Sequence, residues 1–219
     1  MPRAPRAATD LFSFHWDMVS SVSVAADFFT DLRGVLALVP QDAIERTVGL
    51  LLETQASGRR VYVIGNGGSA ATASHFVCDL VKSTSVSGAE PFRAFALTDN
   101  TPLLTAWAND SAYERTFAEQ VHALVDPGDV VIGVSASGNS PNIVAGLAAA
   151  AARGARTVGL LGFDGGAARS QVDIAVHIPC NDYGLVEAVH LAISHAITAA
   201  IKEALQSRTA QSQIRVKVL

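Results

Sequence analysis

The chain has 219 residues, of which 49% are hydrophobic and only 16% are charged, and its formal net charge at pH 7 is −4. This length suits one domain with a helical appendage, while the acidic balance argues against a general binder of nucleic acid or anionic membranes. A protein with so few charged residues seldom leaves its whole surface in water, and no uninterrupted apolar run reaches membrane-spanning length. We therefore expect a large core and a surface that is partly buried in an oligomer.

The first residues and the two cysteines bear on the cellular compartment. Residues 1–10 lead into no apolar segment of the kind a secretory signal needs, and they are expected to form a disordered tail. Cys78 and Cys180 are far apart and form no CxxC pattern, so neither a disulfide framework nor a cysteine zinc site is predicted. The simplest interpretation is a reducing, cytoplasmic location.

Helical and strand patterns divide the rest of the chain. Residues 11–57 have a helical pattern with polar breaks at 31–34 and 39–42, which predicts N-terminal helices ahead of an αβ core at 60–207. Strands are expected at residues 61–64, 92–97, 129–134, 157–161 and 172–178, and a long final helix at about 184–205. Most of these strands are apolar nearly throughout and alternate with helices, which is typical of a parallel sheet covered on both faces.

The prediction is therefore a single α/β domain at residues 11–207, built as a three-layer sandwich. No linker rich in proline or serine divides it. Residues 208–219 are expected to form a mobile C-terminal tail, with an added edge strand at 214–219 as the alternative.

Two strands end in loops of small residues that open helices, at residues 65–69 and 135–140. Glycine permits close backbone approach, and a helix N-terminus offers unpaired N–H groups and a positive dipole end. The turn between a strand and a helix explains either loop alone equally well, but two such loops favour a phosphate cradle at the carboxyl edge of the sheet. Serine hydroxyls that can add hydrogen-bond donors are those of Ser69, Ser135, Ser137 and Ser140.

The spacing within these loops narrows the class of ligand. Neither loop has the GxGxxG pattern of dinucleotide sites, and no GK[ST] follows, so a monophosphate ester fits better than a nucleotide. The phosphate would then serve as a handle, with the chemistry at the other end of the ligand.

Two imidazoles and two carboxylates fall on shared helix faces. His75 and Asp79 are four residues apart after the first loop, and Glu187 and His195 are two four-residue steps apart on the last helix. Such a set can bind a divalent metal or form a proton-transfer pair. For each histidine alone, a hydrogen-bonded position in the core or an interface is the simpler alternative. His190, three residues after Glu187, is a candidate substitute for either role.

A weaker candidate follows the apolar helical stretch at 103–107. Asn109 and Asp110 can bind sugar hydroxyls or cap the next helix at Tyr113, and the sequence does not choose between the two.

These motifs together resemble a known family. GNGGSA at residues 65–70, His75–Phe76, Ala108–Asp110 and SASGNSPN at residues 135–142 are similar to the sugar isomerase (SIS) domain and, more narrowly, to the bacterial phosphoheptose isomerases. The resemblance covers nearly the whole chain and implies a flavodoxin-like fold around a five-stranded parallel sheet. It also implies an aldose–ketose isomerase that converts sedoheptulose 7-phosphate to D-glycero-D-manno-heptose 7-phosphate through an enediol.

The resemblance further implies a homotetramer with active sites at subunit interfaces, and a zinc site. By position, the zinc ligands are His75, Asp79, Glu187 and His195. Asp79 and His195 inherit the acid–base roles, and Glu187 is an alternative base. The implied substrate-binding residues are Asn66, Gly67, Gly68, Ser69, Asn109, Asp110, Ser135, Ser137, Asn139 and Ser140.

The sequence departs from the family pattern at three of these places. Asp79 stands where glutamate is usual, Glu187 where glutamine is usual, and Ala136 where a hydroxyl residue is common. Two alternatives therefore stay open: an isomerase of another phosphosugar, and a non-catalytic SIS scaffold for a protein partner such as the replication initiator. The set of histidines and carboxylates argues against the scaffold, and a phosphosugar sensor is disfavoured because no DNA-binding segment precedes the SIS region.

Overall fold

The computed structural model describes the backbone of residues 18–217 and the side chains of residues 23–211. The tail predicted at 1–10 lies outside the described residues. Two helices open the described chain, α1 (Met18–Leu36) and α2 (Gln41–Ala56). The break predicted near 39–42 is confirmed, but the one at 31–34 is wrong, because Asp31 and Arg33 point to solvent within a continuous helix.

All five predicted strands form one parallel sheet. Their order is β2-β1-β3-β4-β5, which is the flavodoxin-like order. The chain first adds β2 on one side of β1 and then adds β3, β4 and β5 on the other side, so the strand order switches between β1 and β3. In folds of this kind the ligand binds at that switch point, beyond the carboxyl ends of the strands. The strands are β1 (Arg60–Gly65), β2 (Arg93–Ala96), β3 (Val130–Ser135), β4 (Arg156–Leu161) and β5 (Ile174–His177).

Helices cover both faces of the sheet, as the three-layer prediction requires. The remaining helices are α3 (Gly68–Cys78), α4 (Thr101–Asp110), α5 (Thr116–Leu124), α6 (Pro141–Ala152) and α7 (Tyr183–Lys217). In β1, Val61 and Val63 face a core shared with α2, α3 and α7, whereas Tyr62 and Ile64 face a core shared with α5 and α6. This alternation follows from the pleat of the strand.

Helix α3 changes its geometry where it ends. A π-helical turn, Asp79–Ser83, continues it without a break, so the helix predicted to follow the first loop has two parts. Such wide turns inside helices are frequent at functional sites. The turn begins at Asp79, one of the predicted catalytic residues.

Helix α7 is longer than predicted. It continues to Lys217, so the prediction of a tail from residue 208 is wrong as far as the structure describes the chain, and so is the edge-strand alternative. No glycine or proline interrupts residues 206–217, which explains why the helix continues.

One stretch of α7, Tyr183–Gln211, is long and apolar enough to cross a membrane by length and composition alone. Half of its most apolar window, which has a mean hydropathy of 1.5, is buried inside the fold. There α7 packs against α1, α2 and α3. Core helices of soluble proteins meet the same criterion.

Candidate functional site

The two small-residue loops meet at the switch point of the sheet. The first loop follows β1, and its Gly67 has a φ of +53° immediately before α3. The second follows β3 and leads through Ser140 into α6. Since β1 and β3 are neighbours, the N-terminal ends of two helices converge beside one another. Their unpaired N–H groups and dipoles favour an anion there.

A cavity of about 150 Å³ lies between these loops and the start of α7. This is about five times the ~30 Å³ that one water occupies in the liquid, which leaves room for a phosphate group. Six predicted site residues line it, together with Val134, Ala136 and Tyr183, which were not predicted. The six are Asn66, Ser69, Ser135, Ser137, Ser140 and Glu187.

Hydrogen bonds within the second loop fix its shape. The hydroxyl oxygen of Ser135 accepts from the backbone N–H of Gly138 at 3.1 Å, and that of Ser137 accepts from the N–H of Asn139 at 3.2 Å. Gly138 has a φ of +64° and lies so close to the carbonyl oxygen of Gly165 that no Cβ would fit. The side-chain oxygen of Asn139 accepts from the N–H of Ala167 at 2.9 Å, so this predicted substrate residue supports the loop.

Four serine hydroxyls remain able to donate to a ligand. Among the described residues, the side chains of Ser69 and Ser140 take part in no hydrogen bond, although both line the cavity. Those of Ser135 and Ser137 only accept, so their O–H groups can also donate to a phosphate oxygen. The cavity therefore combines free hydroxyl donors with the N-terminal ends of α3 and α6.

A network of amides joins the first loop to α6. The side chains of Asn66 and Asn142 exchange two hydrogen bonds, of 2.8 and 2.9 Å. The hydroxyl of Tyr113 donates to the same Asn66 oxygen at 3.0 Å, and Thr116 lies 3.4 Å from the Asn142 nitrogen. Asn142 is fully buried, so this network holds Asn66 in one orientation at the cavity.

A second group of polar side chains lies at the end of α3. The Oδ2 atom of Asp79 is 2.9 Å from Nδ1 of His195 and 3.6 Å from Nε2 of His75. The hydroxyl of Ser83 donates to the other carboxylate oxygen at 2.9 Å, across the π-helical turn. The two imidazole rings meet edge to face, with centroids 4.9 Å apart. The carboxylate is largely buried, whereas both histidines are about half exposed.

This cluster has the donor set of a metal site. One ligand atom from each of His75, Asp79 and His195 lies within 4.8 Å of the others. Two imidazoles and one carboxylate suit zinc, and three protein ligands leave a position open, as in catalytic zinc sites. The residues present therefore fit a divalent metal.

Glu187, the fourth predicted ligand, lies apart from this cluster. Its carboxylate rests against Gly68 in the first turn of α3, where a Cβ on the glycine would overlap it. At about 1.5 Å per residue, eight residues of α7 separate Glu187 from His195 by about 12 Å along the helix axis. The structure thus brings three of the four predicted metal residues together and leaves Glu187 at the phosphate-sized cavity.

Asn109 and Asp110, the weaker candidates, neither line the cavity nor cap a helix. Asn109 and Asp110 are exposed at the end of α4, and the Asn109 amide donates to Asp110 at 2.7 Å. Neither caps the short 3₁₀ helix at Tyr113. Its N-cap residue is Ala112, which has no side-chain acceptor, so the capping alternative is wrong. It is Tyr113, three residues beyond Asp110, that reaches the cavity residue Asn66.

His190 cannot replace either partner of the acid–base pair. It is fully buried, and neither ring nitrogen has a hydrogen-bond partner of normal geometry. Burial lowers the pKa of His190 to about 4, and the backbone of Leu161 opposes this shift only in part. The suggested substitute role is therefore wrong.

Four residues that sequence reasoning missed now belong to the site: Ser83, Tyr113, Asn142 and Tyr183. Helical spacing could have found two of them, since Ser83 follows Asp79 by four residues and Tyr183 precedes Glu187 by four. Tyr113 and Asn142 meet Asn66 only through the tertiary fold, and no local pattern indicates this.

The described fold is similar to that of one family of known proteins. A model of the SIS domain family matches residues 27–162. The phosphoheptose isomerase of Citrifermentans bemidjiense is 36% identical over 189 residues, covering 86% of this chain and 96% of the relative. A solved phosphoheptose isomerase from Neisseria gonorrhoeae has a TM-score of 0.72 at 28% identity, over 85% of this chain and 97% of that one. Another, from Francisella tularensis, has a TM-score of 0.78 at 25% identity, over 86% and 99%.

Proposed function

Because the chain belongs to the SIS domain family, and within it to the phosphoheptose isomerases, we propose that it is an aldose–ketose isomerase of phosphorylated sugars. Its substrate in this proposal is sedoheptulose 7-phosphate, and its product is D-glycero-D-manno-heptose 7-phosphate. One observation carries the proposal: the serine-lined cavity and the cluster around Asp79 lie along one face of α7.

The distance between the two parts supports a long substrate. Glu187 lines the cavity and His195 belongs to the cluster, about 12 Å further along the helix axis. A ligand whose phosphate occupies the cavity must extend several carbon atoms to bring its carbonyl group to Asp79. This favours a seven-carbon sugar phosphate over a triose phosphate.

The phosphate end supplies binding energy that positions the reacting end. The serine hydroxyls that line the cavity donate to phosphate oxygens, and the N-terminal ends of α3 and α6 add backbone donors. The amide pair of Asn66 and Asn142 keeps this cradle in place before the ligand arrives.

Asp79 and His195 carry the proton transfers in this proposal. Asp79 removes a proton from the carbon beside the carbonyl group, which gives an enediol, and returns it to the neighbouring carbon. Nδ1 of His195 faces the Asp79 carboxylate, so its Nε2 is left to donate a proton to the carbonyl oxygen. The same Nε2 then takes the proton of the other enediol hydroxyl as the product carbonyl forms. Ser83 orients the carboxylate through its hydrogen bond across the π-helical turn.

His75, Asp79 and His195 would hold the metal, which we propose to be zinc. When bound, it would polarise the carbonyl oxygen of the substrate. Glu187 lies outside this set, and we assign its carboxylate to the cavity, where it can accept hydrogen bonds from sugar hydroxyls.

Self-association into a homotetramer, with sites at the subunit interfaces, is the second part of the proposal. Exposed apolar side chains on α1 support it, since Val24 and Phe29 are 67% and 65% exposed. An apolar groove of about 490 Å³ also lies between α7 and the first two helices. Cys78 and Cys180 are both free thiols, which agrees with the cytoplasmic location that we propose. Light scattering across a concentration series would test the assembly.

The reaction is tested by incubating the full-length protein with sedoheptulose 7-phosphate in D₂O and following the mixture by NMR. We expect aldose signals and deuterium at the carbon beside the carbonyl group, with loss of both on chelation. His195→Ala should abolish turnover, whereas His122→Ala, an exposed histidine on α5, should not. If neither this sugar nor shorter sugar phosphates exchange a proton, the isomerase proposal is wrong and a protein partner should be sought.

A further inference from the structure

Phe163 has an unusual backbone conformation in the loop that follows β4. Among the described residues it alone combines a side chain with a positive φ, of 50°. Bulky residues avoid this left-handed region, and strain of this kind persists only where the surroundings enforce it. Strained residues are concentrated at ligand clamps and active sites, so the surroundings of Phe163 bear on function.

Two hydrogen bonds hold Phe163 in this conformation. Its backbone N–H donates to the carbonyl oxygen of Cys180 at 2.9 Å. Its own carbonyl oxygen lies 3.0 Å from Nε2 of His177, at the end of β5. Both peptide groups of the residue are thereby tied to β5 and the segment that follows it.

The enforced conformation brings the ring of Phe163 against Tyr183. The two ring centroids are 4.8 Å apart, with an angle of 64° between the ring planes, which is a favourable edge-to-face contact. Tyr183 is the first residue of α7, and it lines the serine-lined cavity although 59% of it is exposed. Its hydroxyl forms no hydrogen bond within the described part of the chain.

The same loop also supports the opposite wall of the cavity. Residues 164–167 lie against the second small-residue loop: Gly165 contacts Gly138, and the N–H of Ala167 donates to Asn139. One loop therefore sets the position of the serines on one side and of Tyr183 on the other. A surface tyrosine without a ligand would need no such support.

From this arrangement, and resting on the proposed function, we propose that Tyr183 contacts the sugar carbons next to the phosphate and determines substrate specificity. Its ring packs against their C–H groups, and its hydroxyl bonds to a sugar hydroxyl. Phe163 acts through Tyr183 as a positioning residue. The ligand class is a phosphorylated polyhydroxy chain, and inorganic phosphate alone occupies the serines without reaching the ring.

This difference between a sugar phosphate and inorganic phosphate gives the test. We would measure kcat and KM with sedoheptulose 7-phosphate, and the affinities of this sugar and of inorganic phosphate by calorimetry. The variants are Tyr183→Ala and Tyr183→Phe. The matched control is Phe95→Ala, which removes an exposed aromatic ring on β2 that stacks on Tyr62 instead.

We expect Tyr183→Ala to raise KM and weaken sugar phosphate binding about tenfold, because it removes a stacked ring and a hydroxyl donor. Its kcat should stay within about twofold, since the ring lies away from Asp79. Tyr183→Phe should show a smaller rise of about threefold. The affinity for inorganic phosphate should be unchanged in both, and Phe95→Ala should match the wild type.

Phe163→Gly tests the positioning role separately. Glycine adopts a positive φ without strain, so the variant should fold while losing the ring that supports Tyr183. We expect its KM to rise in the same direction as that of Tyr183→Ala. A purely structural role for the Phe163 ring would leave KM unchanged.

Three results would overturn the proposal. They are an unchanged KM in Tyr183→Ala, an equal loss of affinity for both ligands, or a wild type that binds no sugar phosphate. A wild type that binds the sugar phosphate without turning it over would contradict the proposed function alone. In that case, the ratio of the two affinities still decides the role of Tyr183.

Discussion

His190 makes the stability of this protein depend on pH in a way that can be measured. The imidazole is fully buried and neither ring nitrogen has a hydrogen-bond partner of normal geometry, so the folded protein keeps it neutral. Burial lowers the pKa of His190 from 6.5 to about 4. Below pH 6.5 the unfolded chain binds a proton that the folded chain does not, so stability is lost as the pH falls towards 4.

The size of the effect follows from the two pKa values. At 1.36 kcal/mol per unit, the difference between 6.5 and about 4 limits the loss to about 3 kcal/mol. Between pH 7.5 and pH 5.0 the unfolded state is largely protonated at this position and the folded state is not. Linkage then gives a loss of about 2 kcal/mol from this one residue.

Urea unfolding of wild type and His190→Leu at pH 7.5 and 5.0 isolates this contribution. Leucine cannot titrate, so the wild type should lose about 2 kcal/mol more than the variant on acidification. Other groups change equally in both proteins and cancel. Protein concentration is held fixed, because assembly shifts apparent stability. The control His122→Leu, at an exposed position, should keep the pH dependence of the wild type's unfolding free energy. If wild type and His190→Leu lose equal stability between pH 7.5 and 5.0, the argument is refuted.

Three further predictions concern the loops and the cluster. Asn142→Ala should destabilise the fold by about 2 kcal/mol in urea unfolding, because it leaves the amide of Asn66 without this partner. A double-mutant cycle with Asn66→Ala should show a coupling energy of about 1 kcal/mol and not additivity. Gly138→Ala should lower the thermal midpoint sharply, since a Cβ would overlap Gly165. As its control, Gly49→Ala, at an open position on α2, should instead stabilise the fold by about 0.5–1 kcal/mol. Ser83→Ala should lower kcat about tenfold at constant KM, and an unchanged kcat would exclude its orienting role.

Local sequence patterns predicted the sheet and both loops because each rests on short-range chemistry. β-Branched runs such as residues 61–64 favour strands, and the glycines and serines that follow them favour turns into helices. The end of α7 could not be placed in this way, because residues 206–217 contain helix formers and no stop signal. The π-helical turn at Asp79 is equally invisible, since its sequence is compatible with an ordinary α-helix.

Periodicity indicated which side chains share a face but not how far apart they lie. Glu187 and His195 do point to one side of α7, yet two helical turns separate the cavity from the cluster. His190 is the opposite case. It lies on the core stripe with Val186, Ile193 and Ile197, all buried, and this spacing could have identified it as a core residue.

The separation between the phosphate end and the reacting end is set by helices and not by loops. Helix α3 begins beside the cavity at Gly68 and leads to Asp79, while α7 begins there at Tyr183 and leads to His195. The two helices pack together and run in the same direction from the cavity to the cluster. Since helix rise is fixed, loop substitutions can change how tightly the phosphate end is held without changing this distance. In the proposed function, the length of the sugar is therefore selected by α3 and α7, and its hydroxyls are selected by the loops around the cavity.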